Sequence, residues 1–119
     1  MALPNADKAI IPLEKLREYI LNPNHPKGKH KARAIRNATG LEAKDGEWIR
    51  NQIRAQIPQT IVFDQRVTSF GIGYNIVVSI SGPLGTLTVQ TRWIVKEGDH
   101  VPRFTTLIPR PPRSGSDDG

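Results

Sequence analysis

The chain has 119 residues, a formal net charge of +6 and no cysteine, and its pI is near 10.1. The length suits one hydrophobic core. The missing cysteines exclude disulfides, cysteine-ligated zinc, iron–sulfur clusters and thiol nucleophiles, while the excess of lysine and arginine favours an anionic partner, nucleic acid or an acidic protein.

With 37% hydrophobic and 24% charged residues the composition is globular, and with 6% aromatics the core must lean on Ile, Val and Leu. No apolar run approaches the roughly 18 residues of a membrane-spanning helix. The opening MALPNADKAIIP lacks the basic-then-apolar pattern of a signal peptide. No membrane association and a cytoplasmic site of action are therefore expected.

Residues 1–7 read as a lead-in, and Lys8 to Ile11 as a short extended piece. Pro12 suits the first position of a helix whose Leu13, Leu16 and Ile20 share one face. Asn22-Pro23 ends that helix, because the residue before proline is pushed out of helical geometry. Asn22 to Pro26 then forms a rigid loop. A second helix begins between Lys27 and Lys29 and reaches Ala38 or Thr39, with Gly40 as its stop and a thin apolar face of Ala32, Ile35 and Ala38. A third follows Asp45, a good N-cap, and carries Trp48, Ile49, Ile53 and Ile57 up to Pro58.

The period changes from there. Residues 60–67, 73–81, 86–95 and 101–108 are rich in β-branched and aromatic residues, and short turns at 70–73, 82–85 and 96–99 separate them. Short turns make neighbouring strands antiparallel. In the third strand Leu87, Val89, Thr91 and Trp93 share one face, and Thr88, Gln90 and Arg92 the other, as in a sheet covered on one side only. The expected fold class is α+β: two or three N-terminal helices packed on one face of a four-stranded antiparallel meander. Residues 1–109 are expected to form a single domain and 110–119, RPPRSGSDDG, a disordered tail.

Residues 24–36, NHPKGKHKARAIR, hold two of the three histidines and five lysines and arginines, and no acid occurs between Tyr19 and Leu41. Cations at the start of a helix oppose its macrodipole, a conflict that a bound anion would relieve. This favours a phosphate site over a merely solvated helix face. His25, held between two prolines, is the first candidate for proton transfer and His30 the second. Neither has the spacing or acidic company of a metal site, so no metal and no cofactor are expected. The glycine pairs lie in strand turns and not in a phosphate loop, and the carboxylates are too scattered for a paired-carboxylate hydrolase. Metal-free cleavage of RNA is easier to assemble. The ribose 2′-hydroxyl is the nucleophile, so a base, an acid and cations around the phosphorus suffice. Lys29, Lys31, Arg92 and Arg103 are candidates to neutralise the phosphate and Thr106 to hydrogen-bond it. Lys27, Lys29, Arg33 and Arg36 are candidates to bind the nucleic-acid backbone, and Tyr74 to stack on a base.

LPNADKAIIPLEKLREYILNPNHPKGKHKA, the Trp-bearing third helix, TRWIV and VPRFTTLIP together resemble a poorly characterised bacterial domain family with an LPNA…NPxHPxGxxKA opening block. Its members occur alone and at the C-termini of polymorphic toxins, and their order of elements is similar to the metal-independent ribonuclease fold of barnase, colicin D and RelE-type toxins. His25, Gly28 and Lys31 match the first block, Trp93 the strand, and Arg103 and Thr106 the closing motif. The chain departs from the pattern at Ala34-Ile35-Arg36, where members often carry a large aromatic, and at Ile108, where tyrosine is common.

The resemblance implies delivery as part of a toxin system and an acidic immunity or antitoxin protein as partner. The reading these features carry is a toxin-type, metal-independent endoribonuclease acting through 2′-hydroxyl attack, with RNA as its partner. The alternatives are a non-catalytic module binding nucleic acid or an acidic protein through the same surface, and an accessory protein of a mobile element.

Overall fold

Alternating apolar and polar residues in the second half of the chain give a four-stranded antiparallel sheet, seen in a computed structural model that describes residues 1–110. Its strands are β1 (Asp64–Thr68), β2 (Gly71–Gly82), β3 (Gly85–Lys96) and β4 (Arg103–Pro109), hydrogen-bonded in chain order. Tyr74, Ile76, Val78 and Ile80 of β2 stand opposite Trp93, Thr91, Val89 and Leu87 of β3. All eight are buried, which fixes register, since a one-residue slip would turn the whole set to solvent. The buried Thr91 hydroxyl donates to Ile76 O at 2.8 Å and accepts Trp93 Nε1–H at 2.8 Å, so no polar atom of that pair is left unpaired.

The helices precede the strands and cover this one face. α1 (Lys29–Thr39) buries Ala32, Ile35 and Thr39, and α2 (Gly46–Gln56) buries Ile49 and Ile53. α1 ends at Gly40, whose φ of 81° is the left-handed conformation that glycine adopts without penalty. Together with the sheet the helices enclose one hydrophobic cluster running from Leu3 to Leu107. The fold is α+β, as expected.

Three elements differ from expectation. The first helix is a wide π-helical turn, Lys15–Ile20, closed by Leu21 N–H on Leu16 O at 2.7 Å. The wider turn buries Leu16, Ile20 and Leu21, while Leu13 is only partly covered. The extended piece is reduced to Ile10, which bridges Arg103 in parallel beyond the outer edge of β4, after a short 3-10 turn at Ala6–Lys8. The first strand starts at Asp64, not residue 60. Ile61 instead bridges Ala2, and Val62 N–H donates to Met1 O at 2.7 Å, so the chain start takes the backbone groups that β2 would have used. The expected tail lies outside the described residues apart from Arg110, whose N–H donates to Thr88 O.

β1 pairs with β2 only from Gly71 to Asn75. Further along, two glutamines of α2 stand in for a strand. The Gln56 amide donates to Ser79 O at 2.6 Å and accepts Ser79 N–H at 2.9 Å. Gln52 does the same at Ser81, at 3.0 and 2.8 Å, and Trp48 Nε1–H adds a bond to Ser81 O. Replacing Gln56 by Leu leaves a backbone donor and acceptor unpaired, so a loss of about 2 kcal/mol or more is expected in urea unfolding. An unchanged midpoint would show that these amide bonds contribute nothing net.

Candidate functional site

The basic block folds around one close approach. Gly28 is buried, and a Cβ there would lie 1.9 Å from the carbonyl oxygen of Tyr19 and 2.8 Å from its carbon. Only glycine lets the first turn of α1 sit on the preceding helix. His25 fixes that turn from the other end. Its Nδ1 accepts the backbone N–H of Lys27 and of Gly28, each at 3.0 Å, and its carbonyl accepts Lys29 N–H at 3.0 Å. With Nδ1 used as an acceptor, the neutral ring carries its hydrogen on Nε2. That nitrogen then has a proton to donate and no lone pair to receive one, so a base role for His25 requires this turn to open.

Tyr19, which the sequence did not single out, lies at the centre of the cluster. Its ring meets the His25 imidazole edge to face, with centroids 4.7 Å apart. Lys31 Nζ sits 5.3 Å from the same ring's centroid and donates to Thr106 Oγ1 at 2.6 Å. Among the described residues Lys31 has no carboxylate partner. The contact with Thr106 depends on a bulge in β4 against Arg92 and Trp93 of β3. Phe104 and Leu107 both face the core there, so two residues, Thr105 and Thr106, fall where regular alternation has one. Lys31 thus reaches from α1 to the outer strand.

The remaining cations divide by helical geometry. At roughly 100° per residue, Lys29, Arg33 and Arg36 share one stripe of α1, Lys31 projects from the opposite side, and the exposed His30 falls between them. The stripe lines a groove of about 590 Å³ with Lys44, over an apolar floor that includes Leu21, Ala32 and Leu41. Glu42 is the one acid on its walls. Lys27 is exposed in the turn before α1.

Arg92 and Arg103 stand on the open face of the sheet, opposite Asn75 and Ile94 respectively. Arg92 is the register partner of Thr106 but does not line the α1 groove, so these phosphate candidates do not share one cavity. Arg92 lines a second cavity, about 620 Å³, with Asp64, Asn75 and Gln90. There Asp64 accepts Asn75 Nδ2–H at 3.1 Å, and Asn75 accepts Gln90 Nε2–H at 3.1 Å. Arg103 lies near Asp99. The Asp99 carboxyl is held below its ordinary range first by the N–H of His100, then by that of Val101, with the charge of Arg103 adding to them. Tyr74 corrects the expectation of base stacking: it shares the parity of Ile76 and Trp93, is 6% exposed and belongs to the core. Among the described residues no group of three or more His, Asp or Glu side chains is placed to hold a metal ion. No described helix is long and apolar enough to cross a membrane.

Residues 2–111 match the family described as Domain of unknown function (DUF6883). The chain belongs to that family. No curated protein matches the sequence. The DUF6883 fold is similar to a chain in the solved structure of a contact-dependent growth inhibition toxin–immunity protein complex from Klebsiella pneumoniae 342. The TM-score is 0.68 at 12% identity, over 90% of this chain and 97% of that one. At that identity the likeness establishes a shared fold. The matched span includes the His25 turn, the Gly28 contact and the Lys31 bond described above.

Gly28→Ala is expected to cost about 3 kcal/mol or more and to displace α1, because backbone and not a flexible side chain is in the way. His25→Ala should cost about 1 kcal/mol, with His25→Asn recovering most of it by restoring a short acceptor. Thermal unfolding of the three variants checks this; equal losses for His25→Ala and His25→Asn would refute the capping role.

Proposed function

We propose that this protein is a toxin-type domain that binds RNA across α1 and cleaves it without a metal. The observation that carries the reading is the division of the cations around an exposed histidine. Lys29, Arg33 and Arg36 line a groove on one side, and Lys31, unpaired by any carboxylate among the described residues, is held between Tyr19 and Thr106 on the other. A backbone passing from the groove to Lys31 crosses His30. The fold shared with a chain of a toxin–immunity complex supports the toxin part of the reading.

In this scheme His30 takes the proton of the ribose 2′-hydroxyl, and the 2′-oxygen attacks phosphorus. The 5′-oxygen leaves with a proton from the Lys31 ammonium, giving a 2′,3′-cyclic phosphate. Thr106 orients Lys31, and His25 positions the turn and does not take the proton. Arg92 and Arg103 are outside this path. An acidic immunity protein would block it by covering the same cations. The groove alone also serves a non-catalytic RNA-binding module, a reading favoured by the occupied Nδ1 of His25.

Binding to a single-stranded RNA in a salt series should give a log–log slope near −3 if four or five phosphates are neutralised, and Arg33→Glu with Arg36→Glu should flatten it by about 1.4. A slope near zero would remove the RNA reading altogether. Cleavage should survive EDTA, spare the 2′-deoxy analogue and fall about 10²-fold or more in Lys31→Ala and in His30→Ala. RNA bound but left intact would leave the binding module standing and dismiss the nuclease. Expression in a bacterial cytoplasm should arrest growth, and Lys31→Ala should relieve the arrest.

A further inference from the structure

β1 leaves the sheet with an unusual free edge. Every residue from Gln65 to Thr68 is exposed. Around the strand stand four large apolar side chains with little cover: Ile61 at 72%, Phe63 at 52%, Val67 at 83% and Phe70 at 77% exposure. A flat apolar edge is ordinarily shielded by charge, proline or another element, because it templates strand pairing. Residues 61–70 contain no proline or lysine, and their two charges, Asp64 and Arg66, are of opposite sign and offset each other.

We infer that this edge pairs with the same edge of a second copy, antiparallel about a two-fold axis at Gln65. The strand is its own complement in that register. Asp64 of each copy falls opposite Arg66 of the other, and the Phe63 side chain of each copy comes beside Val67 of the other. The same-chain Arg66–Asp64 pair, at 3.2 Å with the arginine 77% exposed, is free to be shared between copies.

Backbone parity agrees. Thr68 and Gly71 are partners flanking a two-residue turn, so Thr68, Arg66 and Asp64 direct their N–H and C=O groups to β2. Gln65 and Val67 direct theirs outward. A two-fold at Gln65 needs an outward-facing central residue, and a shift by one residue would set Arg66 against Arg66. The contact is isologous and closes at two copies, giving an eight-stranded sheet with the α1 surfaces and their cations far from the joint. It does not rest on the RNA reading.

Sedimentation of the whole chain over a concentration series should show conversion from 13.2 kDa to twice that mass. Asp64→Arg should weaken the dimer roughly tenfold or more, because the like-charge contact is made twice, and adding Arg66→Asp should restore it. Gln65→Cys should oxidise to one symmetric disulfide-linked dimer, since hydrogen-bonded pairs place Cα atoms about 5.5 Å apart, within disulfide reach. Asp64 also bonds Asn75, so Val67→Lys, outside that network, serves as a second disruptive variant, with circular dichroism confirming that each variant is folded. A monomer at all concentrations, a dimer unmoved by Asp64→Arg and Val67→Lys, or no rescue by the charge swap would overturn the inference.

Discussion

The contact between Gly28 and the carbonyl of Tyr19 is the constraint on which the basic region depends. It is a backbone-on-backbone approach, so it cannot relax by a rotamer change, and it sets the angle at which α1 leaves the preceding loop. Everything distinctive about the region follows from that angle. His25 can bridge two N–H groups because the turn is tight. The Tyr19 ring ends up between His25 and Lys31, and Lys31 is long enough to meet Thr106 on the last strand. The loop prolines at 23 and 26 restrict the chain on both sides of His25, so little conformational freedom is lost when the turn closes.

The charge distribution follows from helical order. A run of alternating lysine, arginine and small residues reads as a single patch, yet on a helix it divides into two cationic flanks with a ridge between. Small residues at Ala32 and Gly28 bring the backbone down onto the rest of the fold, which leaves the long cationic side chains standing beside a groove and not over a flat surface. Such an arrangement, with one acid on the groove wall, accumulates counter-ions that an incoming polyanion can displace.

Much of the fold was legible in the sequence because the sheet is covered on one side only. The period-two alternation in β2 and β3 fixes both strand and face, and it already assigns Tyr74 to the core beside Ile76, so its burial could have been read from parity. Residues 60–63 misled because their β-branched composition is real, but Met1 and Ala2 take the pairing that β2 would have supplied, and nothing local announces so distant a partner. Lys31 and Thr106 were candidates for the same phosphate by residue type, but the direct bond between them was not legible. Tyr19 was missed because a tyrosine near a helix end has no signature until the turn after it is known. The bulge at Thr105-Thr106 was equally hidden: the two threonines are ordinary strand residues, and only the spacing of Phe104 and Leu107 gives it away.

The glutamine pair of α2 has a consequence for how this sheet evolves and assembles. By occupying the peptide groups of Ser79 and Ser81, Gln52 and Gln56 end the ladder without a strand. The other outer border, along β4, carries the Ile10 bridge and the hydroxyl that holds Lys31. Lengthening β1 would therefore require evicting a helix, and growth past β4 would disturb the lysine. The architecture is extensible at one short margin alone, and change in the stretch of chain that lies there leaves the cationic ridge untouched.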